Sequence, residues 1–224
     1  VRANASFDRL CRDLDVPFSR CGSLMLSFGP MADAVLRKKL QNGDANGVPG
    51  LRLLDAESAY AMEPGLAPGL RHALFSPTAG TVNPWQLGIA ACENAVHNGA
   101  QLRLNMKVIA IHHDQDGYLL ETDRGSIRTC AVINCAGLNA DRIQALAFPT
   151  EVLIVPTAGD YLVLDKNSVG KPTHILEYEP EGKAKGLTVV PTVEGSLLLG
   201  PSERDNTLDY ATTADGLFWV REQR

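Results

Sequence analysis

The stretch from Ala131 to Ile143, AVINCAGLNADRI, holds the residues best suited to ligand chemistry. Ala131–Asn134 reads as a buried strand, because nearly all of its side chains are apolar. The small pair Ala136-Gly137 follows almost at once. In open α/β sheets, ligands lie beyond the carboxyl ends of strands, where small residues leave backbone N–H groups accessible to a phosphate or a flat cofactor. A tight turn made by Gly137 explains the pair equally well.

Composition argues against several classes of function. The formal net charge of -5 and the isoelectric point near 5.5 argue against a nucleic-acid-binding protein. No apolar run approaches the roughly 18 residues of a membrane span, and no signal peptide is recognisable. The five cysteines are an odd number without a CxxC pair, so we expect free thiols in a reducing compartment. No Cys/His spacing is typical of a metal site.

The elements that must position the Ala136-Gly137 turn follow from periodicity and turn residues. Helices are expected over 5–14, 31–42, 56–63 (with Asp55 as its cap), 84–97 and 141–147, and strands over 23–28, 74–75, 101–113, 118–122, 126–134, 160–164, 188–191 and 196–199. Asn83 is expected to cap the helix that begins at Pro84. We expect that helix to bury Leu87, Ala90, Ala91 and Val96.

Six segments occur in an order that is specific to one superfamily. They are PTAGTVNPWQL (77–87), ACENAVHNGA (91–100), LNMKV (104–108), VINCAGLNADRI (132–143), GDYLVLD (159–165) and VVPTVEGSLLLGPS (189–202). Together they resemble the D-amino-acid-oxidase-like (DAO) superfamily of FAD-dependent oxidoreductases. The likeness is greatest to flavin-linked glycerol-3-phosphate dehydrogenases and L-2-hydroxyglutarate dehydrogenases, and it extends from GSLMLSF (22–28) to TTADGL (212–217).

This resemblance implies an α/β (α+β) fold with two parts. Residues 84–148 would form a partial FAD-binding domain with a β-meander. Residues 1–83, with an entering helix, and 149–224 would form a substrate domain built on a mostly antiparallel sheet. The resemblance also implies cofactor contacts: the backbone of Val108 with the adenine, and Ala136 and Gly137 with the pyrophosphate or the flavin side. An ordinary core position explains the side chain of Val108 as well.

One departure from the family pattern concerns the cofactor. The GxGxxG motif that brings a helix N-terminus to the pyrophosphate does not occur in this sequence. The chain opens with Val1 on what reads as the middle of a helix, and it closes on an amphipathic helix, TTADGLFWVREQR (212–224). We therefore expect a middle piece of a longer protein, although a processed chain would look the same. FAD is expected in the full-length protein and not in this piece alone.

On the substrate side, the resemblance implies hydride transfer to flavin from a carbon that bears a hydroxyl group. A small anionic substrate calls for a cationic side chain, yet Ala158 stands where many relatives carry arginine. The implied substrate contacts are Tyr161, Thr192 and Ser202. A core or rim role for Tyr161 and strand-edge roles for Thr192 and Ser202 are the alternatives.

No residue can be assigned as catalytic from the sequence. His72 and His174 could each act as a base, although lone histidines usually have structural roles. The expected function is that of an FAD-dependent dehydrogenase oxidising glycerol-3-phosphate or L-2-hydroxyglutarate, with an undetermined electron acceptor. The rival is a non-catalytic ligand- or partner-binding module derived from the same fold. The expected location is the cytoplasm, with attachment to the inner face of the membrane as a variant.

Overall fold

The computed structural model describes residues 1–149, 151–168, 170–179, 186–202 and 204–205. The helices are α1 (Arg2–Asp13), α2 (Pro30–Ala45), α3 (Ala56–Met62), α4 (Pro84–His97) and α5 (Ala140–Ala145), with a 3-10 turn at Gly137–Asn139. The strands are β1 (Phe18–Ser19), β2 (Ser23–Ser27), β3 (Arg52–Asp55), β4 (His72–Ser76), β5 (Thr81–Val82), β6 (Val108–Asp114), β7 (Gly117–Thr122), β8 (Gly125–Thr129), β9 (Thr157–Ala158), β10 (Leu162–Leu164), β11 (Ile175–Tyr178), β12 (Thr188–Pro191), β13 (Leu197–Gly200) and β14 (Arg204–Asp205). The described residues fall into two compact units, the first within Val1–Asn98 and Ala158–Arg204 and the second within Gly99–Thr157 with Asp205.

A seven-stranded sheet organises the first unit, in the order β10-β13-β12-β11-β2-β4-β3. The pair β11–β2 is parallel, and the other neighbours are antiparallel. This mostly antiparallel sheet, with helices and a separate meander, confirms the predicted mixed α/β fold.

The core of the first unit lies on one face of this sheet. Leu24 is opposite Phe75 and Leu26 is opposite Ala73 in the β2–β4 register, so the period of two brings all four to the same side. They form a buried cluster with Ala59 of α3. Helix α3 begins here because the Asp55 side chain accepts a hydrogen bond from the backbone N–H of Ser58 (2.9 Å).

A three-stranded antiparallel meander, β6-β7-β8, organises the second unit, as the sequence predicted. Its tight turn between β6 and β7 requires glycine at position 117. The φ of Gly117 is +126°, and a Cβ there would lie 2.5 Å from the carbonyl oxygen of Thr129.

Two predicted strand boundaries were wrong. Residues 101–107 form no strand, because β6 begins at Val108, and β8 ends at Thr129, so Ala131–Asn134 is not a strand. The side chain expected to be buried there is exposed: Ile133 has 86% of its surface accessible. An apolar run becomes a buried strand only where neighbours supply hydrogen bonds and cover. Among the described strands, none pairs with either segment.

The burial predicted for α4 was also wrong. The helix forms, and Asn83 caps it as expected, accepting hydrogen bonds from the backbone N–H groups of Trp85 (3.0 Å) and Gln86 (3.1 Å). None of its residues is buried, including the four expected in the core. A sequence that is apolar on several faces forms this helix, but the described residues provide no surface that covers it.

Some expectations lie beyond what the structure describes. The closing helix over 212–224 and the family-like segment at 212–217 fall outside the described residues. The bounds at 83/84 and 148/149 stay predictions. Of the helices that the structure does describe, none combines the length and apolarity of a membrane span.

Candidate functional site

A cleft of about 790 Å3 opens within the second unit. Its lining comes from two stretches of chain: Met106, Lys107, Val108 and Ile109 at the start of the meander, and Ala136, Asn139, Arg142, Ile143 and Leu146 around α5. Two residues predicted as cofactor contacts, Val108 and Ala136, therefore face the same cavity. The third, Gly137, directly follows Ala136 and does not line it.

The first wall of the cleft is an edge strand with a bulge. Strand β6 pairs with β7 on one side, and no described strand pairs with its other side. Val108 is opposite Thr122, and the register then shifts before Ala110, so Ile109 is the extra residue. Bulges at strand edges turn backbone groups away from the regular ladder. Backbone N–H and C=O groups on an unpaired edge can bind the polar rim of a planar ring.

The start of this wall is fixed by a neighbouring turn. The backbone N–H of Lys107 donates to the carboxylate of Asp123 (3.0 Å), and the backbone N–H of Asp123 donates to the carbonyl oxygen of Lys107 (3.1 Å). These two bonds hold the backbone immediately before Val108 in place.

The second wall is the turn that leads into α5. Gly137 has a φ of +56°, a left-handed conformation that glycine adopts without strain. A Cβ at Gly137 would meet nothing within 4 Å. The structure thus explains this glycine by backbone conformation, and the close approach of a cofactor to it stays a prediction.

Polar and cationic residues that the sequence analysis missed complete the cleft. Arg142 is exposed, and its Nη1 donates to Oδ1 of Asn139 (3.4 Å), one helical turn earlier. The i, i+3 spacing of Asn139 and Arg142 is the sequence signal that could have found them, because residues three apart lie on the same side of a helical turn. Arg142 and Lys107 bring positive charge to the lining, which suits an anionic ligand.

Helix α5 is attached to the chain that follows it through Asp141. Oδ2 of Asp141 accepts a hydrogen bond from the backbone N–H of Ile154 (3.1 Å). That bond and, with a smaller effect, one from the backbone N–H of Arg142 hold the pKa of Asp141 below its usual value. The carboxylate is therefore a structural anchor.

The three predicted substrate contacts do not share one place. Ser202 is buried, and its hydroxyl accepts from the backbone N–H of Asp160 (2.9 Å) and donates to that residue's carboxylate (3.1 Å). Thr192 closes the β12–β13 hairpin, bonding to Ser196 through both backbone and hydroxyl (2.9 Å each). Tyr161 is 47% exposed. Tyr161 lies against Gly200, and Ser202 follows Gly200 by two residues, so both are at one end of β13, whereas Thr192 lies beside the other end.

Both candidate histidines are bonded to buried carboxylates. Nδ1 of His72 donates to Asp33 (2.8 Å), and Nδ1 of His174 donates to Glu63 (2.7 Å). Burial alone raises the pKa of Asp33, but hydrogen bonds from Ser27, His72 and Arg71 outweigh that effect and lower it to about 2.

Glu63 is held in the same way. Burial raises its pKa, and the stronger combined effect of hydrogen bonds from the side chains and backbone N–H groups of Thr173 and His174 lowers it. These contacts give both histidines a structural role.

The sequence matches the family described as FAD dependent oxidoreductase (DAO) over residues 1–223. The chain belongs to the DAO family. It is 37% identical over 224 residues to a glycerol 3-phosphate dehydrogenase of Caloramator mitchellensis, covering 99% of this chain and 47% of that protein. It is 27% identical to the human mitochondrial L-2-hydroxyglutarate dehydrogenase, covering 90% of this chain and 46% of that protein.

A solved structure shows the same fold. The L-alpha-glycerophosphate oxidase of Mycoplasma pneumoniae, with FAD bound, superposes with a TM-score of 0.82 at 24% identity, over 92% of this chain and 56% of that one. The chain spans about half the length of the curated relatives it matches.

Proposed function

We propose that this chain is the middle part of an FAD-dependent dehydrogenase that oxidises a small α-hydroxy anion. One observation carries the proposal: in a DAO family chain, Val108 and Ala136 face the same cleft from two walls. Glycerol-3-phosphate and L-2-hydroxyglutarate are the candidate substrates, because dehydrogenases of these two compounds are among the relatives.

The residues around the cleft fit one part of a dinucleotide site. The edge of β6 with which no described strand pairs offers backbone groups to a base, and Arg142 offers a cation to a diphosphate. A Cβ at Gly137 would meet nothing within 4 Å, so the turn at Ala136-Gly137 is accessible. FAD would supply the hydride acceptor, while these residues of the chain would bind and orient its adenosine half.

Exposed apolar side chains support the proposal that the chain is a piece. On α4, Trp85 is 76% exposed and Ile89 is 59% exposed, and Ile133 in the predicted strand is 86% exposed. A helix that is apolar on several faces is usually buried, and contiguous apolar surface usually marks an interface. We propose that further chain of the same protein covers α4 and residues 131–134, and that FAD is retained only when that chain is present.

The substrate contacts stay proposals of unequal support. Tyr161 keeps an exposed side chain that can reach a ligand, whereas the hydroxyls of Thr192 and Ser202 are already used in internal hydrogen bonds. Since Ala158 provides no cation, we propose that the substrate's anionic group is bound by a residue outside the segment 156–161.

We propose a cytoplasmic location, with attachment to the inner face of the membrane as a variant. The five cysteines lie within the described residues and are free, as in a reducing compartment.

The experiment is to purify the full-length protein and record its absorbance spectrum anaerobically. The proposal predicts the yellow colour of oxidised flavin, bleached by one of the two candidate substrates. A colourless protein that gains no flavin band on addition of FAD would contradict the proposal. Flavin colour that neither substrate bleaches would show that the cofactor is correct and the proposed substrates are wrong.

A further inference from the structure

In the part of the chain that the structure describes, one side chain, that of Asn134, bridges the turn at Ala136-Gly137. Oδ1 of Asn134 accepts a hydrogen bond from the backbone N–H of Ala136 (3.2 Å). Nδ2 of the same amide donates to the carbonyl oxygen of Ala140 (2.8 Å). One amide therefore bridges the entry and the exit of the turn.

Packing does little to fix this turn. Asn134, Cys135 and Gly137 are exposed, and Ala136 is half-buried. Within the turn, the backbone N–H of Asn139 donates to the carbonyl oxygen of Ala136 (3.0 Å). Because Asn side chains can replace backbone partners in this way, local bonds set the shape of an otherwise exposed segment.

The turn carries a residue of the cleft, although Asn134 does not line the cleft itself. Its effect on a ligand would act through the backbone at Ala136. Since the two bonds reach positions 136 and 140, they fix both the residue that faces the cleft and the first residue of α5, on which Arg142 lies.

We propose that Asn134 is a positioning residue for the cofactor. It holds the Ala136-Gly137 turn and the start of α5, on which Arg142 lies, in the shape that fits beside the phosphates of FAD. This inference rests on the proposed function and deepens it. Without the amide bridge, the turn would have to be ordered when the ligand binds, and that ordering weakens binding.

The test measures affinity and stability separately in the full-length protein. The apoprotein is titrated with FAD, and quenching of flavin fluorescence gives the dissociation constant. Losing two hydrogen bonds in N134A is expected to raise that constant about tenfold. In N134S the hydroxyl can still accept from the N–H two residues on but cannot reach Ala140, so a rise of about threefold is expected.

A matched control is N46A, because the Asn46 amide also donates to a backbone carbonyl, that of Asn42 (2.7 Å), at the end of α2. Its dissociation constant for FAD should equal that of the wild type. The melting temperature of the N134A apoprotein should fall no more than that of N46A. A stability loss without an affinity loss would reduce Asn134 to a structural residue and overturn the inference.

The remaining outcomes separate the two proposals. If the wild type binds FAD and N134A binds it equally well, the positioning role is wrong and the proposed function stands. If the wild type binds no FAD, the proposed function fails and the inference fails with it. Should N134A not fold, N134S decides, supported by faster backbone hydrogen exchange over 135–140 in its apoprotein than in wild-type apoprotein.

Discussion

Val108 and Ala136 line one cleft although they belong to different elements, the edge strand of a meander and the turn before a short helix. Val108 lies on the edge of β6 with which no described strand pairs. Ala136 lies on a turn without a large side chain, and its own N–H and C=O groups are bonded to Asn134 and Asn139. The strand edge, with the cations Lys107 and Arg142 in the lining, suits a base and a phosphate more than it suits a hydrophobic ligand.

Replacing Arg142 should weaken FAD binding without unfolding the protein. A cation near a diphosphate at a solvent-exposed site contributes about 1 kcal/mol, so R142A should raise the dissociation constant about fivefold. The difference should shrink as salt is added, since exposed charges are screened.

Fluorescence titration of the full-length apoprotein at low and high salt measures this effect. R124A is the control, because Arg124 is an exposed arginine of the same unit that does not line the cleft. Equal affinities of wild type and R142A at low salt would contradict the placement of a diphosphate beside Arg142.

Asp33 should make stability depend on acid pH. Its pKa lies near 2, below the usual 3.8, so its charge stabilises the fold above about pH 4. That contribution, about 2 kcal/mol, is lost as the pH falls from about 4 through about 2. D33N should therefore lower the free energy of unfolding at neutral pH and flatten its decline in acid.

Urea unfolding at a series of pH values tests this. D44N serves as the control, because Asp44 is an exposed aspartate of the same helix. A D33N protein that loses stability in acid as steeply as the wild type would show that Asp33 does not carry the effect.

Glu63 should be a strong structural determinant. Its Oε1 lies within 2.8 Å of four donors on Thr173 and His174, and its side chain is 8% exposed. E63A leaves these donors without their acceptor and should cost about 3 kcal/mol of unfolding free energy. E57A, at an exposed glutamate of the helix that ends just before Glu63, should cost under about 0.5 kcal/mol, and equal losses in the two variants would refute the assignment.

The exposed face of α4 offers a prediction whose sign differs between the isolated chain and the full-length protein. I89K should improve solubility of residues 1–224 alone, because it removes an exposed apolar side chain. In the full-length protein it should cost about 2 kcal/mol of stability, because the side chain is then covered. L10K is the control, since Leu10 is also an exposed apolar side chain on a helix (43% exposed), and it should change stability little in either. A neutral I89K in the full-length protein would contradict the proposed cover.

Elements whose partners are near in sequence could be predicted. In the meander and in the β12–β13 hairpin, strands alternate with short Gly-containing turns that join each strand to the next. Their pairing is therefore local in sequence. The cap at Asn83 could also be predicted, because an Asn-Pro pair commonly places Asn at the N-cap and Pro at the first position of a helix.

What could not be predicted depends on distant partners. Residues 101–107 and 131–134 carry strand-like sequences, yet a strand also requires neighbours, and sequence pattern does not reveal whether they are present. Ser202 was placed as a substrate contact because its position resembled one, while its bond to Asp160 depends on how two separate strands end side by side. The bridge made by Asn134 had a local signal, an Asn two residues before Ala136, but nothing in the sequence showed that the amide reaches Ala140.

The central claim is that the cleft between Val108 and Ala136 receives FAD, and its most direct test is the FAD affinity of the full-length A136L variant. A leucine there extends into the cleft, so the dissociation constant should rise at least about a hundredfold, the effect of losing about 2.7 kcal/mol. A145L adds the same side chain at an exposed position of α5 outside the lining and should bind FAD as the wild type does. An A136L protein that binds FAD within about twofold of the wild type would contradict the account.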